Sequence, residues 1–320
     1  MFHQLTNGDA GPQVDELHAR LQALGFLAHL PVDYEDATAS AVASFQRSRG
    51  LDVSGTCDAQ TWKALLEAEH QFGARPLYLT SPMLRGEDVA TLQLRLGSLG
   101  FNAGRVDGIF GPNTQQALRE FQRNTDLVVD GVCARDTISQ LNRLASRSST
   151  ISIAGIRERE SLSHRSPDLA GLRVAICHQG TDNGLVGALG ADLHLAEAVV
   201  SVSSNDDWSV LATITNAFQA DVCFAIEVVE APGVEIAYYA TDGFASEAGK
   251  LLAEALLRQL PHPPGWRPSV AHGMRLPILR ETRCPTVRLK LGPVEEVREM
   301  HSLLVAAANR ALRAWIQPAS

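Results

Sequence analysis

The first half of the chain carries one pattern of apolar and polar positions twice. Apolar residues three or four positions apart, from Val14 to Leu24, predict a helix that ends at Gly25. The same spacing returns about 75 residues later, from Val89 to Leu99, and ends at Gly100. An Ala-Val/Leu-x-x-Phe-Gln segment and a Gly-x-Cys segment are repeated as well. The first half therefore consists of two copies of one small unit.

Each copy predicts three helices. In the second copy the turn Val106–Thr114 leads into a helix that starts near Pro112, and a third helix starts near Ala134 or Arg135. The first copy has Pro31–Thr38 in place of that turn and lacks both of its glycines. We therefore expect two all-α three-helix modules, at residues 1–74 and 75–146.

The pattern changes after the second copy. Residues 147–168 are polar with little apolar periodicity and are predicted to be a linker. From 169 to 320, short apolar runs alternate with helical stretches, which is typical of an α/β domain. The predicted strands are Val174–Cys177, Ala191–Leu195, Val222–Val229, Val234–Ala240 and Thr286–Leu291. Three helices are predicted: one begins after an N-cap at Asn205, and the others cover Ser246–Leu260 and Val294–Ile316. We expect a mostly parallel sheet with helices on both faces.

Composition and charge narrow the class of protein. The chain is 45% hydrophobic and 20% charged, as in soluble globular proteins, and its net charge of -8 makes nucleic acid an unlikely partner. The beginning of the sequence has no signal-peptide pattern and no apolar run reaches about 18 residues, so we expect a cytoplasmic protein. The five isolated cysteines predict reduced, mostly buried thiols, with Cys57 and Cys133 as core residues.

The repeated unit resembles the peptidoglycan-binding module of cell-wall hydrolases. The second copy carries the resemblance through its LGF, VDGIFGPNT, ALREFQ and LVVDGV segments, whereas the first copy is degenerate at the turn. Two interpretations of this turn stay open. It either binds a ligand or is only structural, with the aspartate accepting bonds from nearby backbone N–H groups. The candidate ligand-binding residues are Asp107, Gly108, Phe110, Gly111 and Asn113.

The C-terminal half resembles the zinc-dependent N-acetylmuramoyl-L-alanine amidase domain. Three segments fit its framework: Val174–Thr181 fits the first strand and its loop, Ala225–Val229 the Ser-Ile-His-Ala-Asn motif, and Leu279–Gly292 the late motif. The family's first zinc ligand falls at Gly180 and its third at Glu227. Its catalytic carboxylate falls at Lys290.

These replacements imply a pseudoenzyme without a metal cofactor. The resemblance implies that the loop with the second ligand is deleted between Asp182 and Asp192. A catalytic zinc needs about three protein ligands, and the mapped positions do not supply them. A site rebuilt from His178, His194, Asp182 and Glu227 is one alternative. An ion pair between Lys290 and Glu227 in the former pocket is the more economical hypothesis.

The two modules followed by a degenerate amidase domain resemble the actinobacterial CwlM family. The resemblance implies a cytoplasmic, non-catalytic regulator that activates MurA (UDP-N-acetylglucosamine 1-carboxyvinyltransferase) and contacts the flippase MurJ and a forkhead-associated protein. It also implies control by a Ser/Thr protein kinase on the C-terminal segment. After Thr286 this chain has only Ser302 and Ser320 as hydroxyl residues. One alternative is that Glu295 and Glu296 partly replace a phosphate, and another is that phosphorylation falls on the segment Ser146–Thr150.

Two other functions remain open from the sequence. One is an active zinc amidase that acts on peptidoglycan. The other is a binding module that senses a peptidoglycan precursor through the turn of the second copy, with the C-terminal domain as a docking surface.

Overall fold

The computed structural model describes residues 3–145, 168–180, 184–241, 244–261, 263, 266 and 270–317. They belong to two compact units, the first built mainly on residues 1–156 and the second on the rest of the chain. The predicted linker 147–168 and the segment Ser146–Thr150 lie, apart from Asp168, outside the described residues. Within the described ranges, no helix has the length and apolar character needed to cross a bilayer.

The first unit contains the predicted helices in both copies. They are α1 (Pro12–Ala23), α2 (Asp36–Ser48), α3 (Ala59–Ala68), α4 (Glu87–Ser98), α5 (Pro112–Asn124) and α6 (Arg135–Ala145). Glycine ends the first helix of each copy as predicted, with φ of +80° at Gly25 and +98° at Gly100. In the first copy the Phe26 N–H donates to the Leu21 carbonyl at 2.8 Å, which closes the helix end.

The equivalent cysteines of the two copies are core residues, as predicted. Cys57 and Cys133 are fully buried, and each forms a short antiparallel bridge, with Leu5 and Leu77 respectively. Burial raises the pKa of both thiols to about 12. Both side chains therefore stay protonated at neutral pH and act as small apolar groups.

The second unit is built on a mixed sheet. Its strands are β1 (Arg173–His178), β2 (Val199–Ser204), β3 (Val222–Val228), β4 (Gly233–Thr241), β5 (Phe244–Ala245), β6 (Val270–Met274) and β7 (Thr286–Gly292). The order is β2-β1-β3-β7-β4-β5, with β6 paired to β4. Strands β2, β1, β3 and β7 run parallel, whereas β4 runs antiparallel to β7. The parallel part confirms the expectation of a mostly parallel sheet. Strand β4 was predicted, as Val234–Ala240, but its antiparallel direction was not.

The helices of the second unit cover both faces of this sheet. They are α7 (Leu185–Leu195), α8 (Trp208–Ala217), α9 (Glu247–Gln259), α10 (Pro277–Glu281), α11 (Val294–Glu299) and α12 (His301–Ile316). One face carries the apolar core, in which strand residues such as Phe224 and Leu289 pack with α7, α9 and α12. On the other face Cys177 Sγ lies 3.2 Å from Oγ1 of Thr215 in α8. Glu227, Arg288 and Lys290 alternate with core residues along β3 and β7 and therefore lie on this second face.

Two of the predicted elements, a strand and a helix cap, were wrong. Ala191–Leu195 belongs to helix α7, because its buried residues Leu185, Val186, Leu189 and Leu193 repeat with helical spacing. The strand in this region is β2, and neither it nor β6 was predicted. The cap of α8 is Asp207, whose Oδ1 accepts from the Ser209 N–H at 2.7 Å.

The predicted long C-terminal helix is divided in two. Helix α11 ends and α12 begins at Met300, where φ is −96° and ψ is 6°. Neither glycine nor proline marks this position in the sequence. In α11, Glu295 pairs with Arg298 at 3.0 Å and Glu296 accepts a bond from the Trp266 indole.

Candidate functional site

Three neighbouring strand ends bring the positions mapped from the amidase resemblance, Gly180, Glu227 and Lys290, to one edge of the sheet. Strands β1 and β3 are parallel with His178 opposite Ile226, and β3 and β7 are parallel with Glu227 opposite Lys290. Gly180 lies two residues after the end of β1, at a φ of +72°. Since the carboxyl ends of parallel strands share one edge, the three positions predicted from the sequence lie at the same edge.

A buried arginine occupies the centre of this edge. Arg288 is 1% exposed, and its Nε donates to Glu227 Oε2 at 3.1 Å, with a second bond from Nη2 to the same oxygen. Its Nη1 donates to Glu235 Oε1 at 3.2 Å. The carboxylate at the former third-ligand position is therefore held by a guanidinium.

The predicted partner of Glu227 was Lys290, and the contact found is with Arg288. Lys290 lies beside this network, because its register neighbours are Glu227 on β3 and Glu235 on β4. Directly opposed residues in a sheet have side chains on the same face. The sequence signal for Arg288 was its place two residues before Lys290 in the same strand, which puts both cations on one face.

A cavity of about 480 Å³ opens next to this network. The titratable residues of its lining are Glu235, His272 and Lys290, and its other walls come from the 229–234 segment and Val270. Nε2 of His272 lies 3.6 Å from Oε1 of Glu235. The titratable side chains thus extend from β3 across β7 and β4 to β6.

The histidines proposed for a rebuilt metal site lie apart. His178 ends β1 and is buried, whereas His194 is exposed in the last turn of α7. Helix α7 runs from the carboxyl end of β1 back to the amino end of β2. His178 and His194 therefore lie at opposite ends of the parallel strands. Asp182 lies outside the described residues. No group of three or more His, Cys, Asp or Glu side chains in the described ranges is arranged to hold a metal ion.

The donor set at the edge does not fit a zinc ion. Glu227 is the one ligand-type residue at the three mapped positions, and its carboxylate already binds Arg288. A divalent cation there would lie next to a buried guanidinium and near Lys290. No hydrolytic step through zinc can be derived from these residues.

In the second copy, the turn is held together by its own aspartate and by Gln93. Oδ1 of Asp107 accepts from the Ile109 N–H at 2.9 Å and from Gln93 Nε2 at 2.8 Å. The Gly108 N–H donates to Gln93 Oε1 at 2.9 Å, and the φ of Gly108 is +71°. The structural interpretation of Asp107 and Gly108 therefore has direct support. A ligand role for the turn stays a prediction.

Phe110 corrects the list of ligand candidates. Its side chain is 0% exposed and belongs to the apolar core of the second copy, so it cannot contact a ligand directly. Gly111 is the N-cap of α5, and Asn113 is exposed in the first turn of that helix. Of the five candidates, Asn113 is the side chain most accessible to a ligand.

The first copy keeps a buried aromatic side chain at the position of Phe110, but it lacks the glutamine that holds the turn of the second copy. Tyr34 is equivalent to Phe110, is 1% exposed, and donates from its hydroxyl to the Gly55 carbonyl at 2.7 Å. His18 stands where the second copy has Gln93, and its Nε2 lies 2.8 Å from Thr38 Oγ1. A histidine is sufficient here because the first copy has no turn glycine whose N–H must be bound.

Because His18 stands at the position of Gln93, we expect the stability of the first copy to decrease at acidic pH. His18 is 1% exposed, and desolvation by burial lowers its pKa below 6.5, while Asp15 and Glu35 oppose that shift. The unfolded chain therefore takes up the proton first, and the stability is present above pH 6.5 and lost as the pH falls below it. We expect His18→Gln to reduce the loss of thermal stability between pH 7.5 and pH 5.

The control is His29→Gln, which changes an exposed histidine in the same copy. Thermal unfolding followed across that pH range compares the two variants with the parent. If both variants keep the parental pH dependence, burial of His18 is not its source.

The repeated three-helix unit and the α/β sheet with its motif positions place the chain in a class of proteins. Members of this class have peptidoglycan-binding modules followed by an α/β domain of the amidase type. The model of a putative peptidoglycan binding domain matches residues 10–65 and 85–141, once in each copy. The chain is 33% identical to N-acetylmuramoyl-L-alanine amidase CwlM of Mycobacterium tuberculosis, over 95% of this chain and 85% of that protein. The chain belongs to the CwlM family.

Further relatives match one part of the chain each. N-acetylmuramoyl-L-alanine amidase CwlL of Bacillus licheniformis is 31% identical over 163 residues, which cover 44% of this chain and 45% of that protein. Among solved structures, the N-acetylmuramyl-L-alanine amidase Ami1 of Mycobacterium smegmatis aligns with 48% of this chain and 100% of its own, at 13% identity and a TM-score of 0.40.

Proposed function

We propose that this chain is a non-catalytic regulator of peptidoglycan precursor synthesis that acts through protein contacts. The observation that carries the proposal is the Arg288 guanidinium bound to Glu227, the residue at the former third-ligand position. Its positive charge takes the place that a zinc ion requires. The amidase scaffold is then retained as a shape that other proteins recognise.

The chemistry at the former catalytic position supports the same proposal. Amide hydrolysis by a zinc enzyme needs a general base to take a proton from metal-bound water. The residue at that position is Lys290, which offers an amine in place of the carboxylate that would act as this base. Both the metal and the base are therefore replaced by cationic side chains.

The proposed partner is MurA, which the chain would activate in the cytoplasm. Membership of the CwlM family and the two peptidoglycan-binding modules support this choice of pathway. MurJ, a forkhead-associated protein and a Ser/Thr protein kinase belong to the same proposal, as does a peptidoglycan precursor on the modules. The second candidate is an active amidase, which the printed names of the relatives favour.

One experiment separates the two candidates. The purified chain, with and without prior treatment by a Ser/Thr kinase, is added to MurA, and phosphate release is measured. In parallel the chain is incubated with peptidoglycan and zinc, and released stem peptides are measured. We expect faster phosphate release and no stem peptides. Stem-peptide release at stoichiometric zinc would overturn the proposal, and so would a MurA rate unchanged by both forms of the chain.

A further inference from the structure

We propose that the outer edge of β2 is a docking site for an extended segment of a partner protein, with a neutral β-branched centre and a basic residue at each end. Such a segment would add one strand to the sheet. The inference goes beyond the regulatory proposal, because it names a surface and the chemistry of its occupant. Its test does not use MurA, so its failure is distinguishable from a failure of the proposed function.

Strand β2 presents an open backbone edge. It is the last strand in the sheet order and pairs only with β1 among the described strands. The Val199 N–H donates to the Leu172 carbonyl at 2.8 Å, so odd-numbered residues of β2 face β1. Val200, Val202 and Ser204 therefore direct their backbone N–H and C=O groups outward. The described part of the chain places no hydrogen-bond partner on these groups.

This edge lacks the usual protection against strand addition. Natural edge strands carry lysine, proline, a bulge or a short length that prevents pairing with another chain. The sequence Val-Val-Ser-Val-Ser-Ser of β2 has no charge and no proline over six residues. Val199 is 43% exposed, Val202 is 49% exposed, and Leu195 before them is 84% exposed. Both the backbone and the side chains thus favour an added strand.

The charges at the two ends of β2 decide which segment fits. Glu197 is exposed before the strand, and Asp206 and Asp207 are exposed after it. An antiparallel second copy centred on Val202 would bring Glu197 of each chain towards Asp207 of the other, so like charges would meet at both ends. A partner strand with basic residues at its ends avoids this repulsion and gains attraction instead.

The probe is the peptide Lys-Thr-Val-Thr-Val-Thr-Lys, added to the full chain. Hydrogen exchange with mass spectrometry follows the amides of residues 199–205 as the peptide concentration increases. We expect this segment to become protected, and a control peptide with Glu in place of both Lys residues to bind at least about 10-fold more weakly. That ratio corresponds to about 1.4 kcal/mol. Equal binding of the two peptides, or protection elsewhere, would overturn the proposal.

A pair of variants tests the backbone contact. Val202→Pro removes one outward N–H, a change that an edge strand tolerates, whereas Val202→Thr keeps that N–H. We expect Val202→Pro to weaken binding about 10-fold and Val202→Thr to leave it within about 2-fold, since one or two backbone hydrogen bonds are lost. Far-ultraviolet circular dichroism checks that both variants are folded. Equal binding by the two variants would contradict strand addition.

Two other occupants have their own signatures, and either would overturn the proposal. Self-association of the chain that Val202→Pro abolishes would identify a second copy. The chain's own residues 150–153 also alternate Thr or Ser with Ile, between Arg147 and Arg157. Protection of residues 199–205 in the free chain that is lost on deletion of residues 148–156 would identify that segment.

Discussion

Replacement of Phe110 by alanine is expected to lower the free energy of unfolding of the second module by about 3–5 kcal/mol. The Phe110 side chain is fully buried. The backbone N–H of Phe110 donates to the Leu84 carbonyl at 2.9 Å, which holds the turn against the preceding segment. Alanine would leave a cavity in a core formed by short helices with few layers. Hydrogen exchange of the α4–α6 amides in the full chain measures this loss within the module.

Asn113→Ala is the matched control, since this residue lies in the same turn and is exposed. We expect its effect on stability to stay within about 0.5 kcal/mol. If a muramyl pentapeptide binds the turn, Asn113→Ala would weaken binding in a folded module, whereas Phe110→Ala would lose binding through unfolding. A Phe110→Ala variant with parental exchange rates would show that the core assignment is wrong.

The second large effect is expected from the ion network of the former active site. The double variant Glu227→Leu with Glu235→Leu should lower the free energy of unfolding of the C-terminal unit by about 3–5 kcal/mol. The reason is that the Arg288 side chain is 1% exposed, whereas the carboxylates are 23% and 37% exposed. Removing both carboxylates takes these two anions away from a buried guanidinium. Chemical denaturation followed by tryptophan fluorescence measures the change.

The control adds Arg288→Met to that double variant. Replacing a whole buried ion network by apolar side chains of similar size is often close to neutral, whereas breaking it is costly. We therefore expect the triple variant to recover most of the lost stability, and Arg288→Met alone to cost less than the double variant. A triple variant as unstable as the double variant would show that the loss has another origin, such as side-chain packing.

The ion network also joins strand ends of the amidase-like sheet that are far apart in the sequence. A catalytic zinc joins ligands from separate strand ends, and in this chain Arg288 joins Glu227 of β3 and Glu235 of β4 across β7. The guanidinium has several N–H donors in a fixed plane, so one side chain can bind two carboxylates. The strand ends around the cavity are thereby held together by an ion network.

Part of this site could be predicted from the sequence. The motif order placed Gly180, Glu227 and Lys290 at strand ends, and the parallel register brings these ends to one edge. The contact between Arg288 and Glu235 could not be predicted, because β4 joins β7 antiparallel and nothing in the motifs specifies that pairing. The burial of Arg288 between Glu227 and Glu235 depends on side-chain reach and on packing around the sheet.

Sequence alone determined the repeat, the six helices of the two modules and the α/β character of the C-terminal half. These features follow from local periodicity, from glycines at helix ends and from residue type at motif positions, all of which are properties of short segments. Only the tertiary structure decided that Phe110 is a core residue, that Ala191–Leu195 is helical and that Arg288 holds Glu227. Each of these depends on which distant segments pack together, because burial and cross-strand contacts are set by pairing between segments far apart in the chain.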